Sequence, residues 1–214
     1  MKRKILSKLI EWKNKKNRKP LIVNGARQVG KTYILKEFGS HYYEKMAYVN
    51  CDKNKTLDKI FSQDYNISRI LLSLSAILHV NIEPENTLII FDEIQENPTV
   101  LNSLKYFCED ASQYHVAVAG SLLGISLHRD TSFPVGKVDM IKMYPMTFDE
   151  FLMAIDEQPL VDVLASKDFS IIDSLSVRLI DFLRQYYYVG GMPAAVAEFA
   201  LTKNLEEVRN IQKQ

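Results

Sequence analysis

Apolar residues recur along this chain in two rhythms. Ile5, Leu6, Leu9, Ile10 and Trp12 fall at helical spacing and predict an amphipathic helix over residues 3–16, broken by Asn17 to Pro20. Leu21-Ile22-Val23 is a short unbroken apolar run, the pattern of a buried strand. Ile34, Leu35 and Phe38 mark one face of a helix from near Lys31 to near Gly39, and Met46 to Val49 reads as the next strand. Helical spacing returns at Leu57-Ile60-Phe61 and over Ile70–Leu78. Leu88-Ile89-Ile90-Phe91 is again unbroken, as expected of a strand covered on both faces. A helix with Val100, Leu104, Phe107, Cys108 and Ala111 on one side follows, then strands at His115–Ala119 and Val138–Met143.

Strands alternating with helices imply an α/β fold, a parallel sheet wrapped by helices. After Pro145 the strand signal disappears. Residues 147–156, 160–167, 170–188 and 193–212 read as helices. We therefore expect an α/β core over residues 1–157 and a small helical lid over 158–214, with no internal repeat and no low-complexity tract.

The stretch after the first strand carries chemistry. Gly25-Ala26-Arg27-Gln28-Val29-Gly30-Lys31-Thr32 fits G-x-x-x-x-G-K-[ST] at every fixed position. Gly25 and Gly30 let the backbone turn tightly and approach a ligand where a Cβ would obstruct. Successive N–H groups then form an anion-binding nest, and the helix starting near Lys31 adds the positive end of its dipole. Lys31 is expected to reach the β- and γ-phosphates of a nucleotide, and the Thr32 hydroxyl to hold Mg²⁺. Tyr33 belongs to the same nucleotide-contacting stretch.

Thr87-Leu88-Ile89-Ile90-Phe91-Asp92-Glu93 supplies the partner site. An apolar strand delivers Asp92 to the sheet's carboxyl edge, where ligands bind in open α/β folds. Asp92 is expected to reach Mg²⁺ through water, and Glu93 to orient and polarise the attacking water. Alone, such a pair could also cap the next helix; beside the glycine loop it reads as an acidic site. His115 to Ala119 leads into Gly120-Ser121, where a hydroxyl past a buried strand either senses the γ-phosphate or caps a helix.

Composition changes little. With 47% hydrophobic and 25% charged residues, this is an ordinary globular chain. No apolar run approaches the roughly 20 residues that span a bilayer, and the basic start is too broken for a signal peptide. Cys51 and Cys108 read as free thiols of a cytoplasmic protein, and the histidines at 41, 79, 115 and 128 are too scattered for a metal site. Charge is uneven: residues 1–20 hold nine Lys/Arg and one Glu, or +8 in a chain of net +1, so the remainder carries −7. Such a basic head reads first as a solvated helix face, with contact to nucleic acid or a phosphate-rich partner as the alternative. The run Tyr186-Tyr187-Tyr188 reads first as packing against neighbouring helices, with stacking on bases as the alternative.

Together, the loop Gly25–Thr32, the strand ending Asp92-Glu93-Ile94-Gln95 and Ala119-Gly120-Ser121 resemble the AAA+-type P-loop ATPases. More narrowly, they are similar to prokaryotic AAA-family ATP-binding proteins that carry a nuclease-like domain of unknown function behind the ATPase core. Trp12 to Leu21, Met143 to Leu152 and Gly190-Gly191-Met192-Pro193 agree with that family's lead-in, strand-five exit and lid motif. The resemblance implies a three-layer P-loop NTPase core with a parallel sheet of order 5-1-4-3-2, a helical lid, and ATP with Mg²⁺ as ligand. It implies Lys31 and Thr32 as phosphate and metal contacts, Asp92 as the metal-linked acid, Glu93 as base, Ser121 as sensor and Pro193 near the adenine. Where family members have Gly-Arg before the fifth strand, this chain has Gly136-Lys137, and lysine lacks the planar fork of arginine. Arg129 is the nearby alternative. The family also implies a further domain beyond Lys213-Gln214 and admits an arginine finger from a neighbouring subunit, hence a homo-oligomer.

Two functions fit: an ATPase that couples hydrolysis to switching of a partner or appended domain, or a nucleotide-gated binding module with little turnover. A GTPase would carry Asn-Lys-x-Asp, of which Asn14-Lys15-Lys16-Asn17 is only a loose echo. A small-molecule kinase usually lacks the Asp-Glu pair, and 214 residues are too few for the tandem motors of a helicase.

Overall fold

A computed structural model describes residues 2–121 and 133–213. The chain divides into two compact units, one from Ile5 to Met143, the other from Tyr144 onward together with the segment up to Lys4. The division falls earlier than the expected boundary after residue 157. The reason is that Met146, Phe151, Leu152 and Ile155 bury into the apolar core of the second unit.

The first unit runs α1 (Ile5–Lys13), β1 (Leu21–Gly25), α2 (Lys31–Tyr42), β2 (Lys45–Asn50), α3 (Lys55–Phe61), α4 (Ile67–Leu78), β3 (Thr87–Asp92), a short 3₁₀ turn (Ile94–Glu96), α5 (Pro98–Asp110), β4 (His115–Ser121) and β5 (Asp139–Met143). Its strands form one parallel sheet of order β2-β3-β4-β1-β5, the expected 5-1-4-3-2 read from the other edge. Alternation along the central strands builds two cores. Ile22, Ile89, Phe91, Val116 and Val118 pack with Leu57, Ile70, Leu74, Leu104 and Phe107 from α3–α5. Leu21, Val23, Leu88, Ile90, Ala117 and Ala119 pack with Leu9, Trp12, Leu35 and Phe38 from α1 and α2. With both faces covered, the strand sequences lose any polar alternation and read as continuous apolar runs. The edge strand β5 keeps exposed positions at Met140 and Lys142.

Side chains end these helices deliberately. Asn54, Asn66 and Asn97 cap α3, α4 and α5, each accepting a first-turn N–H through its side-chain oxygen. The helix α2 differs: its cap is Gly30, in a left-handed conformation with no side-chain hydrogen bond.

The second unit holds α6 (Phe148–Ala154), α7 (Gln158–Ser166), α8 (Phe169–Ser174), α9 (Ser176–Val189), α10 (Pro193–Thr202) and α11 (Leu205–Gln212). Two predicted helices are thus each split. The 170–188 helix breaks at Leu175, whose N–H bonds back to the carbonyls of Ile171 and Ile172. The 193–212 helix breaks where Lys203 turns left-handed (φ 56°) and the Asn204 side chain caps the next segment. Glu150 is buried with Arg3 (Nε–Oε1 3.1 Å), and its Oε1 also accepts the Lys4 N–H at 2.7 Å. Tyr186 packs on Phe148 and Phe151 and donates to the Met146 carbonyl, whereas Tyr187 and Tyr188 are exposed. Among the described residues no helix is long and apolar enough to cross a membrane.

His115, the first residue of β4, is buried, its Nδ1 2.7 Å from the Tyr43 hydroxyl. Burial, reinforced by Arg18 and Lys13, holds its pKa down to about 4. Because this lies below the unfolded value near 6.5, the unfolded chain takes up the proton first. The stability that neutral His115 contributes is complete above that value and lost as pH falls toward 4. Denaturant unfolding between pH 4 and 7 is expected to show this loss in the wild type and a flatter profile in His115→Phe. Parallel profiles would assign the effect to other groups.

Candidate functional site

The site is built at the carboxyl edge of the sheet. Residues 26–30 join β1 to α2, with Gln28 (φ 64°) and Gly30 (φ 92°) both left-handed. Gly30 is therefore required by the turn. Gly25 is required by the fold itself: a Cβ there would lie 2.3 Å from the Met143 carbonyl of β5. Val29 is buried in the core with Leu35 and Phe38 and pins the loop, leaving its backbone as what it offers a ligand. The Lys31 ammonium curls back to the carbonyls of Ala26 (2.7 Å) and Gly25 (3.2 Å). The first-turn N–H groups of α2, at Lys31, Thr32 and Tyr33, have no carbonyl of their own helix to meet and, at Gly30, no capping side chain.

The facing wall is acidic. Strand β3 ends at Asp92, 4% exposed, opposite Asn50 of β2. Its Oδ1 accepts the Glu93 N–H at 3.0 Å and its Oδ2 the Tyr48 hydroxyl at 2.9 Å. Burial and the Asp92 carboxylate push the Tyr48 hydroxyl up to about 12, so it remains a donor. Glu93 sits in the left-handed region (φ 52°), unusual for a residue with a Cβ, and is exposed. Its Oε2 accepts from the Gln95 amide, whose oxygen accepts the Ser121 N–H at 3.1 Å. Gln95 is buried and so bridges the ends of β3 and β4.

A cavity of about 650 Å³ lies between these walls. The loop side contributes Arg27, Gln28, Gly30, Lys31, Thr32 and Tyr33; the far side contributes Glu93 and Ser121, with Asn50, Asp52 and Glu96. The structure thus brings Lys31, Thr32, Glu93 and Ser121 to one space, with Asp92 buried beside Glu93. Burial lowers the Lys31 pKa against the opposing pull of Glu93 and Asp92, with Arg27 adding to the lowering. Asn50, Asp52, Tyr48 and Gln95 were not singled out by sequence reasoning; only the position of Gln95, two residues past Glu93, gave a signal. Lys137 pairs with Glu109 at 2.9 Å. Pro193 opens α10 in the second unit, and Arg129 lies outside the described residues. Among the described residues no group of three or more His, Cys, Asp or Glu could hold a metal by itself.

The loop, the acidic pair and the strand order have a counterpart among known families. A family described as "AAA domain" matches residues 17–152, well over half of the chain. The chain belongs to this family. It is an AAA+-type P-loop ATPase domain. No curated protein matches the sequence. Among solved structures, Cdc6p from Pyrobaculum aerophilum aligns at 14% identity and TM-score 0.42, over 71% of this chain and 47% of that one. PCH-2 from C. elegans aligns at 11% identity and TM-score 0.49, over 97% of this chain and 65% of that one. The chain therefore spans less than two thirds of either, and likenesses of this strength carry no part of the argument.

The Gln95 bridge makes a separable prediction for this AAA domain. Gln95→Ala removes the bridge between Glu93 and Ser121 and is expected to cost about 1–3 kcal/mol of stability. Gln95→Glu keeps the shape but sets carboxylate against Glu93, and should cost more. Denaturant midpoints check both; unchanged midpoints would mean the bridge contributes nothing.

Proposed function

We propose that this AAA domain binds ATP with Mg²⁺ in the carboxyl-edge cavity and hydrolyses it. The observation that carries the reading is the meeting, around one cavity, of the Lys31 ammonium, the helix start at Gly30 without a side-chain cap and the Glu93 carboxylate, with Asp92 buried beside Glu93. The donor set fits the ligand: backbone N–H groups, an ammonium and the hydroxyl of Thr32 suit a triphosphate, while buried Asp92 is a hard oxygen donor suited to Mg²⁺. Among residues 25–33, Gly25 and Val29 fix the loop, Gly30 turns it, and the backbone from Ala26 to Thr32 faces the phosphates. Thr32 and Asp92 would hold Mg²⁺, which when bound neutralises charge on the phosphate oxygens.

Glu93 takes the role of base. It orients a water for in-line attack on the γ-phosphorus and accepts its proton as the new P–O bond forms and the bond to the β-phosphate oxygen breaks, releasing ADP. Lys31 balances charge on the β- and γ-phosphates, and Ser121 faces the γ-phosphate end of the cavity. The place of Pro193 beside the adenine rests on the resemblance to AAA-family proteins alone. We further propose that turnover switches a partner or appended domain, with nucleic acid and a second copy of the chain as candidate partners. The free cysteines Cys51 and Cys108 support a cytoplasmic setting.

Lys31→Ala is expected to weaken ATP binding at least tenfold. Glu93→Gln should bind ATP within about twofold of wild type and lose about 10²–10⁴ in turnover, and chelating Mg²⁺ should abolish turnover. Equilibrium binding of a fluorescent ATP analogue, alongside phosphate release, measures each. Wild-type ATP binding by Lys31→Ala would overturn the site. Tight binding by wild type without phosphate release at any protein concentration would instead make the domain a nucleotide-gated binding module.

A further inference from the structure

All strands of the sheet run parallel, so their amino ends share one edge as their carboxyl ends share the other. A second cavity, of about 600 Å³, lies at that amino edge. Its walls come from the segment before β1 (Lys13–Arg18), the segment before β3 (Glu85, Asn86) and the segment leading into β4 (Ser112, Gln113, His115). His115 and Ser121 are opposite ends of the seven-residue strand β4, so roughly 20 Å of sheet separates this cavity from the first.

The basic head converges here. Part of its charge is already matched: Arg3 pairs with Glu150 and Lys15 with Asp139 (2.6 Å). Lys13, Lys16 and Arg18 line the cavity, and among the described residues none of them has an ion-pair partner. Lys13 donates to the Tyr42 carbonyl, and Arg18 to the Lys13 carbonyl at 3.0 Å, which fixes both side chains without neutralising them. Glu85 is the single carboxylate among the lining residues and acts on Arg18 only through space.

A buried group points the same way. His115 is 4% exposed, and among the described residues its Nε2 has no hydrogen-bond partner. The Tyr43 hydroxyl lies 2.7 Å from Nδ1 and occupies that nitrogen. The other ring nitrogen, Nε2, is left as a buried polar atom that a ligand could meet. Three unmatched cations with amide and hydroxyl side chains, beside an unpartnered imidazole nitrogen, form a lining suited to an oxyanion.

We propose that the amino-edge cavity is a second binding site, separate from the nucleotide cavity, that takes a phosphate group. The group is either a phosphodiester of a nucleic-acid strand or a free phosphate. Trp12, the chain's single tryptophan, reports on it directly: its ring lies 6.1 Å from His115 and 5.8 Å from the Arg18 guanidinium.

The test is titration of Trp12 emission in the full chain with inorganic phosphate and, separately, with a single-stranded oligonucleotide. A saturable change is expected, persisting in Lys31→Ala and therefore independent of the nucleotide cavity. Lys16→Glu and Arg18→Gln should each weaken it at least fivefold. Lys16 is exposed and among the described residues has no ion-pair partner, so Lys16→Glu should melt like wild type. An oligonucleotide binding at least 100-fold tighter than phosphate, with affinity falling steeply with salt, identifies a strand as the source; equal affinities identify a free phosphate. No change in Trp12 emission with either probe, or titrations unaltered in both variants, overturns the proposal.

Discussion

Everything at the candidate site depends on parallel register. Gly25 lies opposite Ser121 across β1 and β4, and Asn50 lies opposite Asp92 across β2 and β3. Because every strand runs the same way, residues far apart in sequence reach one edge together: a glycine loop, an acidic pair and a serine. An antiparallel neighbour would have carried its last residue to the other end. The side chains are then held by local contacts. Tyr48 and the Glu93 N–H each hold one oxygen of Asp92, and Gln95 ties Glu93 to the β4 end.

The same register segregates the polar groups. Faces of the sheet are closed by two apolar cores, and the two edges are where backbone ends and charged side chains gather. At the carboxyl edge the walls are mixed, cationic on the loop and anionic opposite, which suits an anion brought in with a divalent cation. At the amino edge unmatched cations predominate. At the first edge Gln28 and Glu93 both hold left-handed backbone conformations that glycine adopts more readily. Val29, buried beneath the loop, and Asp92, buried beside Glu93, fix their flanks.

Much of this was legible in the amino-acid sequence. The apolar runs at 21–23, 88–91 and 115–119 mark the three central strands because both their faces are covered, and the loop motif identifies itself by fixed spacing. Helix ends were less legible, since they turn on single capping events: Lys203 turning left-handed before Asn204, or Leu175 bonding back on itself. The reason for Gly25 was also out of reach, because it is a carbonyl of β5, more than a hundred residues on, that forbids a Cβ. Tyr48 belongs to the same class: an alternating strand position carries no mark until the register sets it beside Asp92.

The central claim is that one parallel edge assembles the loop and the acidic pair around a single ligand. Backbone hydrogen exchange with and without ATP and Mg²⁺ tests it most directly. The account predicts slowed exchange together at residues 26–33 and 92–96, segments joined in space but not in sequence. Protection confined to one of these segments, or absent from both at saturating nucleotide, would contradict it.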